Sequence, residues 1–127
     1  MTNLEPSRPA TYIVSGGASR LGAAFVRRIS EGGNNVIIGD LDEAAGTEIA
    51  AEFDESVVFC RCDVRRDEDL ADLVLCASDA FGGLDGIVNN AVSYLDNGIT
   101  SSRADWHAAF DVTCSEVQYY SPRHCHF

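Results

Sequence analysis

A short glycine-rich stretch follows the first apolar run of the chain, and its residue types suit the binding of phosphate. The stretch reads SGGASRLG and covers residues 15–22. Gly16 and Gly17 permit a tight turn with positive φ, which residues that carry a Cβ rarely adopt. A helix beginning near Leu21 would aim free amides and the positive end of its dipole at a group above the turn. The stretch therefore predicts a pyrophosphate site.

An acidic residue, Asp40, follows the second apolar run, roughly 20 residues beyond this turn. A carboxylate there can accept both hydrogen bonds from a ribose diol and would repel a 2′-phosphate. Because glycine-rich turns also occur for plain geometric reasons, the prediction depends on the turn, the helix and the spaced acid together. They indicate a dinucleotide site with NAD preferred over NADP.

Four short β-branched runs alternate with longer amphipathic segments. The runs contain few charges, as is typical of strands covered on both faces. The order β-α-β-α-β-α-β-α predicts an α/β fold, with a right-handed parallel sheet, helices on both faces and ligands beyond the carboxyl ends of the strands. The runs are TYIVS (11–15), NVIIG (35–39), SVVFC (56–60) and GIVNN (86–90).

Each intervening segment repeats apolar residues at helical spacing, which predicts the side that each helix buries. Glycine pairs at residues 32–33 and 82–83 predict the ends of the first and third helices. The predicted stripes are Leu21, Ala24, Phe25 and Ile29; Ala45, Ile49 and Phe53 within residues 42–53; Leu70, Leu73, Val74, Ala77 and Phe81 within 67–81; and Trp106, Ala109 and Phe110 in a fourth helix after Ser102.

Composition excludes several classes of function. A chain of 127 residues predicts one domain, and 20 acidic against 9 basic residues give a net charge of −11, which disfavours nucleic acid and anionic lipid. All the basic residues are arginine, so a Walker-type loop and a Schiff-base lysine are excluded. Five cysteines without a regular framework favour reduced thiols and a cytoplasmic location. No apolar run approaches the roughly 18 residues of a membrane span.

Three motifs, in order, resemble those of the short-chain dehydrogenase/reductase family. SGGASRLG is similar to the family's phosphate loop TGxxxGxG, with serine for threonine and Arg20 for the middle glycine. Asp63 in CRCDV matches the acid that borders adenine at the end of the third strand. VNNAV resembles NNAG at the end of the fourth strand, with Val92 in place of glycine.

This resemblance covers about residues 10–113 and implies a Rossmann-like sheet of about four strands in the order 3-2-1-4, incomplete relative to the full family fold. It also implies an NAD(P)-dependent oxidoreductase lineage acting on alcohols and ketones. The dinucleotide contacts that it implies are Gly16, Ser19, Arg20, Leu21, Asp40, Asp63, Val64, Asn90, Ala91 and Val112.

The residues that perform hydride-transfer chemistry in the family have no counterpart in this sequence. The family uses a Ser, a Tyr and a Lys in YxxxK, and the chain contains no lysine. Thr113 stands where the family has a helical asparagine. Tyr119 and Arg123 form YxxxR, but Pro122 disrupts a helix there and arginine does not titrate as lysine does. We therefore assign no catalytic residue.

Two side chains leave alternatives open. Arg20 either adds charge-assisted hydrogen bonds to phosphate while pushing the cofactor outward, or points into solvent. Val92 crowds the position at which the family's glycine faces the cofactor.

Cysteines and histidines at residues 60, 62, 114 and 124–126 match no tight zinc pattern, so we predict no metal site.

The predicted organisation is a disordered lead-in at residues 1–10, the dinucleotide-binding domain at 11–113 and an irregular tail at 114–127 that suggests a truncated or altered ending. The apolar edge of the fourth strand, or the fourth helix, predicts a homo-oligomer. Two functions remain: an NAD-dependent oxidoreductase that needs a missing half, and a non-catalytic nucleotide-binding or regulatory module.

Overall fold

The computed structural model describes residues 8–91 and 103–104. Residues 1–7 of the predicted lead-in, the predicted tail, and the positions of Val92, Val112 and Thr113 lie outside the described residues. The predicted fourth helix is described at Arg103 and Ala104, both helical, and its other residues lie outside as well. In the described part, no helix is long and apolar enough to cross a membrane.

Four parallel strands form one sheet, as the alternation of segments predicts. They are β1 (Thr11–Ser15), β2 (Asn35–Asp40), β3 (Val57–Arg61) and β4 (Gly86–Val88), in the order β3-β2-β1-β4. The predicted order is confirmed. The last strand is shorter than its apolar run because the backbone after Val88 turns towards the end of β1, where Asn90 donates to Ser15.

Three helices connect the strands: α1 (Arg20–Glu31), α2 (Glu43–Ala50) and α3 (Asp67–Phe81). The third matches its predicted bounds and ends at Gly82, whose φ of 80° is left-handed and suits a residue without a Cβ. The second is shorter than residues 42–53, with Asp42 as its N-cap and the side chain of Phe53 beyond its end. Helix termini of this kind are set by caps that spacing alone does not locate.

The core divides into two clusters, one on each face of the sheet, which confirms helices on both faces. Bulky β-branched residues from neighbouring strands supply the centre of each cluster, where their burial is the main favourable term in folding. The cluster beneath α3 contains Ile13, Ile37, Cys62, Val64, Leu70, Leu73 and Ala77. The cluster beneath α1 and α2 contains Val14, Ala23, Val26, Val36, Ile38, Ile49 and Val57.

The predicted buried face of α1 is wrong at three of its four residues, whereas Ile29 is half-buried and packs against the cluster beneath α1 and α2. Leu21 is 62% exposed and Phe25 is 38% exposed, and Ala24 is exposed as well. The helix instead buries Gly22, Ala23 and Val26. The reason lies at the start of the helix, where a Cβ at Gly22 would collide with the carbonyl oxygen of Gly16. The first turn of α1 therefore meets the glycine-rich turn with small residues, and Leu21 and Phe25 are left on the outer side.

This assignment predicts unequal costs for two truncations in α1. Val26→Ala removes buried methyl groups and is expected to lower the free energy of unfolding by about 2 kcal/mol. Leu21→Ala removes a larger but exposed side chain, so it should cost about 0.5 kcal/mol or less. Urea unfolding followed by circular dichroism measures both. An equal or larger loss in the Leu21 variant would contradict the observed orientation of the helix.

Candidate nucleotide site

A buried hydroxyl at the end of β1 joins this strand to its neighbour β4. Ser15 is fully buried, and its Oγ accepts hydrogen bonds from the amides of Asn90 and Ala91, each at 3.0 Å. The same Oγ donates to the carbonyl of Val88 at 3.4 Å. The segment after β4 is therefore held against the end of β1, where the glycine-rich turn begins.

The turn itself closes around the carbonyl of Gly16, whose φ is 64°. This oxygen accepts from the amide of Ser19 at 3.0 Å, from the Ser19 hydroxyl at 2.7 Å and from Nδ2 of Asn90 at 3.1 Å. The amide of Gly16 donates to the carbonyl of Gly39 at 2.7 Å. Gly16 is thus tied to the end of β2 and to the segment after β4, which fixes the shape of the turn.

The start of α1 follows directly. Ser19 is the N-cap, and its Oγ accepts from the amide of Gly22 at 3.2 Å. A Cβ at Gly22 would collide with the carbonyl oxygen of Gly16, so this position requires glycine for close packing of helix on turn. The amides of Arg20 and Leu21 belong to the first helical turn and have no acceptor among the described residues. Free amides at a helix N-terminus are suited to binding an anion.

Asp40 performs a structural task that its position in the sequence does not reveal. Its Oδ2 accepts from the amide of Ala18 at 3.0 Å, and its Oδ1 accepts from the amide of Asp42 at 2.9 Å. The carboxylate therefore links the glycine-rich turn to the end of β2. Since each carboxylate oxygen has two lone pairs, acceptor capacity for a ribose remains.

Asp63 lies just beyond the end of β3 with its carboxylate held by one neighbour. The guanidinium of Arg65 donates to Oδ1 from Nε at 3.0 Å and to Oδ2 from Nη2 at 2.9 Å, and the amide of Arg65 donates to Oδ1 at 3.0 Å. These bonds hold the pKa of Asp63 below its ordinary value, and partial burial opposes the shift. The side chain is ionised at neutral pH.

The other predicted contacts divide between the site and the core. Val64 is 6% exposed and packs in the cluster beneath α3, so its side chain serves the core. Asn90 and Ala91 lie beside the turn, as the motif predicts. The side chain of Arg20 is exposed and has no hydrogen bond or ion pair within residues 8–91 and 103–104, which agrees with both of its alternatives.

The structure therefore brings the predicted residues of the described range to the carboxyl edge of the sheet, and adds two residues that are not among the predicted contacts. Ser15 and Arg65 each organise a neighbour through hydrogen bonds. The hydroxyl retained where the resembled loop has threonine is a signal for Ser15. For Arg65 the signal is weak: a cation two residues after an aspartate is compatible with a local turn.

The described cysteines supply no reactive nucleophile. Cys62 is buried, and burial raises the pKa of Cys60 to about 11 and also raises the pKa of Cys76. The thiols of Cys60 and Cys76 therefore stay protonated at neutral pH. No group of three or more histidine, cysteine, aspartate or glutamate side chains in the described part is placed to hold a metal.

A family model described as Enoyl-(Acyl carrier protein) reductase matches residues 16–122. The chain is 41% identical over 81 residues to a 2,5-dichloro-2,5-cyclohexadiene-1,4-diol dehydrogenase of Sphingobium indicum, covering 64% of this chain and 32% of that protein. It is 47% identical over 79 residues to an L-fucose dehydrogenase of Bos taurus, covering 62% and 29%. The matches thus span about a third of the length of these curated relatives.

Solved structures agree with the fold. A 3-ketoacyl-(acyl-carrier-protein) reductase from Brucella melitensis complexed with NADH gives a TM-score of 0.80 at 24% identity, over 86% of this chain and 46% of that chain. A short-chain dehydrogenase/reductase from Burkholderia phymatum in complex with NAD gives a TM-score of 0.79 at 26% identity, over 87% and 41%. The strand order and helices described above are those of a Rossmann-like sheet.

The hydrogen bonds of Ser15 predict that its hydroxyl stabilises the site. Ser15→Ala leaves the partly buried amides of Asn90 and Ala91 without an acceptor and should lower the free energy of unfolding by about 2 kcal/mol. The matched control is Ser30→Ala, which removes a half-buried hydroxyl that bonds to Ser56 at 3.1 Å and leaves no buried amide unpaired. Denaturant unfolding compares the two. Equal, small losses would show that the Ser15 bonds contribute little.

Proposed function

The chain belongs to the short-chain dehydrogenase/reductase family, and from that premise we propose that it binds NAD(H) along the carboxyl edge of its sheet. One observation carries the proposal: unpaired amides at the start of α1 lie beside a carboxylate, Asp40, that is bonded to the same turn. An anion acceptor next to a diol acceptor is the pairing that a pyrophosphate and its ribose need. The Burkholderia relative is known in complex with NAD, which supports it.

The strand order suggests how the ligand would lie. The pyrophosphate would sit over β1 and α1, the adenosine ribose over Asp40 at the end of β2, and the base over Asp63 at the end of β3, the next strand outward. The nicotinamide half would extend the other way, towards Asn90 and Ala91 beyond β4. Val112, implied by the family resemblance, would complete this half and lies outside the described residues.

We propose NAD rather than NADP because of the charge on Asp40. A 2′-phosphate on the ribose would place a second anion a few ångströms from this carboxylate, a repulsion of about 1–4 kcal/mol. Arg20 would act on the pyrophosphate, because its exposed guanidinium has room to turn towards it. Charge-assisted hydrogen bonds from the guanidinium would then take the place of the close backbone contact that the family's glycine permits.

Catalysis by these 127 residues is not part of the proposal. NAD supplies a hydride acceptor when bound, but a proton must also leave the substrate oxygen, and the family's tyrosine and lysine for that step have no counterpart in this lysine-free sequence. This absence favours a binding module over an oxidoreductase that works alone. A dehydrogenase activity like those of the relatives would need residues from elsewhere, and the substrate is unassigned.

We also propose that a second copy of the chain covers β4. In the described part of the chain this strand pairs with β1 alone, so its other edge presents unpaired backbone groups, and Ile87 and Val88 are half-buried there. Open edges of this kind tend to become paired. Alternatively, the predicted fourth helix provides the contact.

Sedimentation velocity over a range of concentrations tests this association. The expected result is a weight-average mass that rises above 13.7 kDa as concentration increases. A sharp monomeric boundary throughout the range would contradict a homo-oligomer through either surface.

Calorimetric titration with NADH and NADPH tests the proposed cofactor. We expect NADH to bind, and NADPH to bind at least about tenfold more weakly because of Asp40. Asp40→Asn removes the charge but keeps one oxygen acceptor for the turn, so the difference should narrow to within about threefold. Asp54→Asn, at an exposed aspartate before β3, is the control of equal charge change and should leave the ratio unaltered.

Two outcomes would contradict the proposal. If a chain shown to be folded by circular dichroism gives no heat with either dinucleotide, the NAD-binding function is wrong. If the chain by itself reduces NAD in the presence of an alcohol, or oxidises NADH in the presence of a ketone, the non-catalytic part is wrong and the oxidoreductase alternative holds.

A further inference from the structure

We propose that Arg65 is a positioning residue for base recognition: it locks the Asp63 carboxylate so that a single open lone pair on Oδ2 accepts the 6-amino group of adenine. This inference rests on the proposed dinucleotide function. It concerns which base the site prefers, and it assigns that preference to a residue outside the three sequence motifs.

Arg65 fills most of the acceptor positions on the Asp63 carboxylate. A carboxylate has about four lone-pair positions, two on each oxygen. On Asp63, Oδ1 accepts from both Nε and the backbone amide of Arg65, while Oδ2 accepts from Nη2 of Arg65. Three positions are therefore filled by one residue. In the described part of the chain, the remaining acceptor position is on Oδ2.

The carboxylate is also fixed in orientation. The guanidinium of Arg65 is a planar fork bound to both oxygens, a geometry that prevents rotation about the last bond of the aspartate side chain. The backbone is held as well, since the amide of Asp63 donates to Oδ2 of Asp69 at 2.9 Å. Asp63 thus presents one acceptor in one direction, at the end of β3 where the base would lie.

A fixed carboxylate acceptor distinguishes purines by the group at position 6. Adenine carries an amino group there, which donates, whereas hypoxanthine carries an oxo group, which would face the carboxylate with a second acceptor. Hydrogen bonds to charged groups are worth more than neutral ones, and the mismatched pair is repulsive. If the carboxylate could rotate, it could turn away from the oxo group and the discrimination would weaken.

The test compares NADH with its hypoxanthine analogue, in which the 6-amino group is replaced by oxo, in calorimetric titrations of the full chain. The wild type should prefer NADH by about tenfold or more. Arg65→Met removes the fork and keeps an unbranched stem, and should reduce the preference to within about threefold. The ratio is used because loss of one cation affects both anionic ligands equally.

Arg66→Met is the matched control. Arg66 is the next residue, carries the same charge and pairs with Glu68 at 2.8 Å instead of with Asp63. This variant should keep the wild-type preference, although it also loses one positive charge. A loss of preference in both variants would overturn the role assigned to Arg65, because it would make the effect one of charge alone.

Three other outcomes would contradict either the role of Arg65 or the proposed function. If NADH binds and Arg65→Met keeps the full preference, the inference is wrong and the proposed function stands. If Arg65→Met binds NADH more tightly with a larger preference, Arg65 competes with the base and the inference is wrong. If NADH does not bind the folded wild type, the proposed function fails and the inference falls with it.

A second measurement, independent of ligand, checks the contact itself. Arg65 is the main cause of the lowered pKa of Asp63, with a smaller contribution from the charge of Arg66. Carbon-detected NMR titration of the Asp63 carboxyl group in Arg65→Met should show its pKa rising towards the ordinary value of 3.8, and Arg66→Met should show a smaller rise. An unchanged pKa in the Arg65 variant would show that the fork does not form in solution.

Discussion

The hydrogen bonds of one buried hydroxyl determine how the site is assembled. Ser15 Oγ joins the end of β1 to the segment after β4, which brings Asn90 to the carbonyl of Gly16, where the Ser19 hydroxyl also donates. Each polar group in this chain of bonds has a partner, as buried groups in a low-dielectric interior require. The turn is thus held in shape by the protein itself, and its open amides do not depend on a ligand for their position.

Much of the fold could be predicted from the sequence because the spacing of apolar residues and the composition of each segment depend directly on which side chains are buried. Strands covered on both faces must be apolar throughout, so the four runs and the order of elements followed from the pattern. The face of α1 could not be predicted in the same way. The rule that large apolar residues face inward fails where backbone lies against backbone, and there the inward positions belong to Gly22, Ala23 and Val26.

The candidate site could be predicted as a set of positions but not as a set of contacts. Motif and spacing placed Asp40 and Asp63 at neighbouring strand ends, which the register confirms for Asp40 opposite Arg61. The hydrogen-bond partners of these carboxylates depend on the directions of side chains and backbone groups, and residue spacing does not determine those directions. The partners of Ser15 lie 75 and 76 residues away in the chain, and Arg65 is significant because its fork closes on the preceding aspartate.

The double use of Asp40 constrains how this protein can change. The carboxylate that would choose between dinucleotides also accepts the amide of Ala18, so the residue that sets selectivity is a structural member of the turn. A substitution of Asp40 that accommodates a 2′-phosphate, such as a basic or small side chain, would leave the amide of Ala18 without its acceptor. Over evolutionary time, a shift in cofactor preference would therefore need a compensating change in the turn that contains Ala18. Substitutions at residue 40 and in this turn should therefore occur together in related proteins.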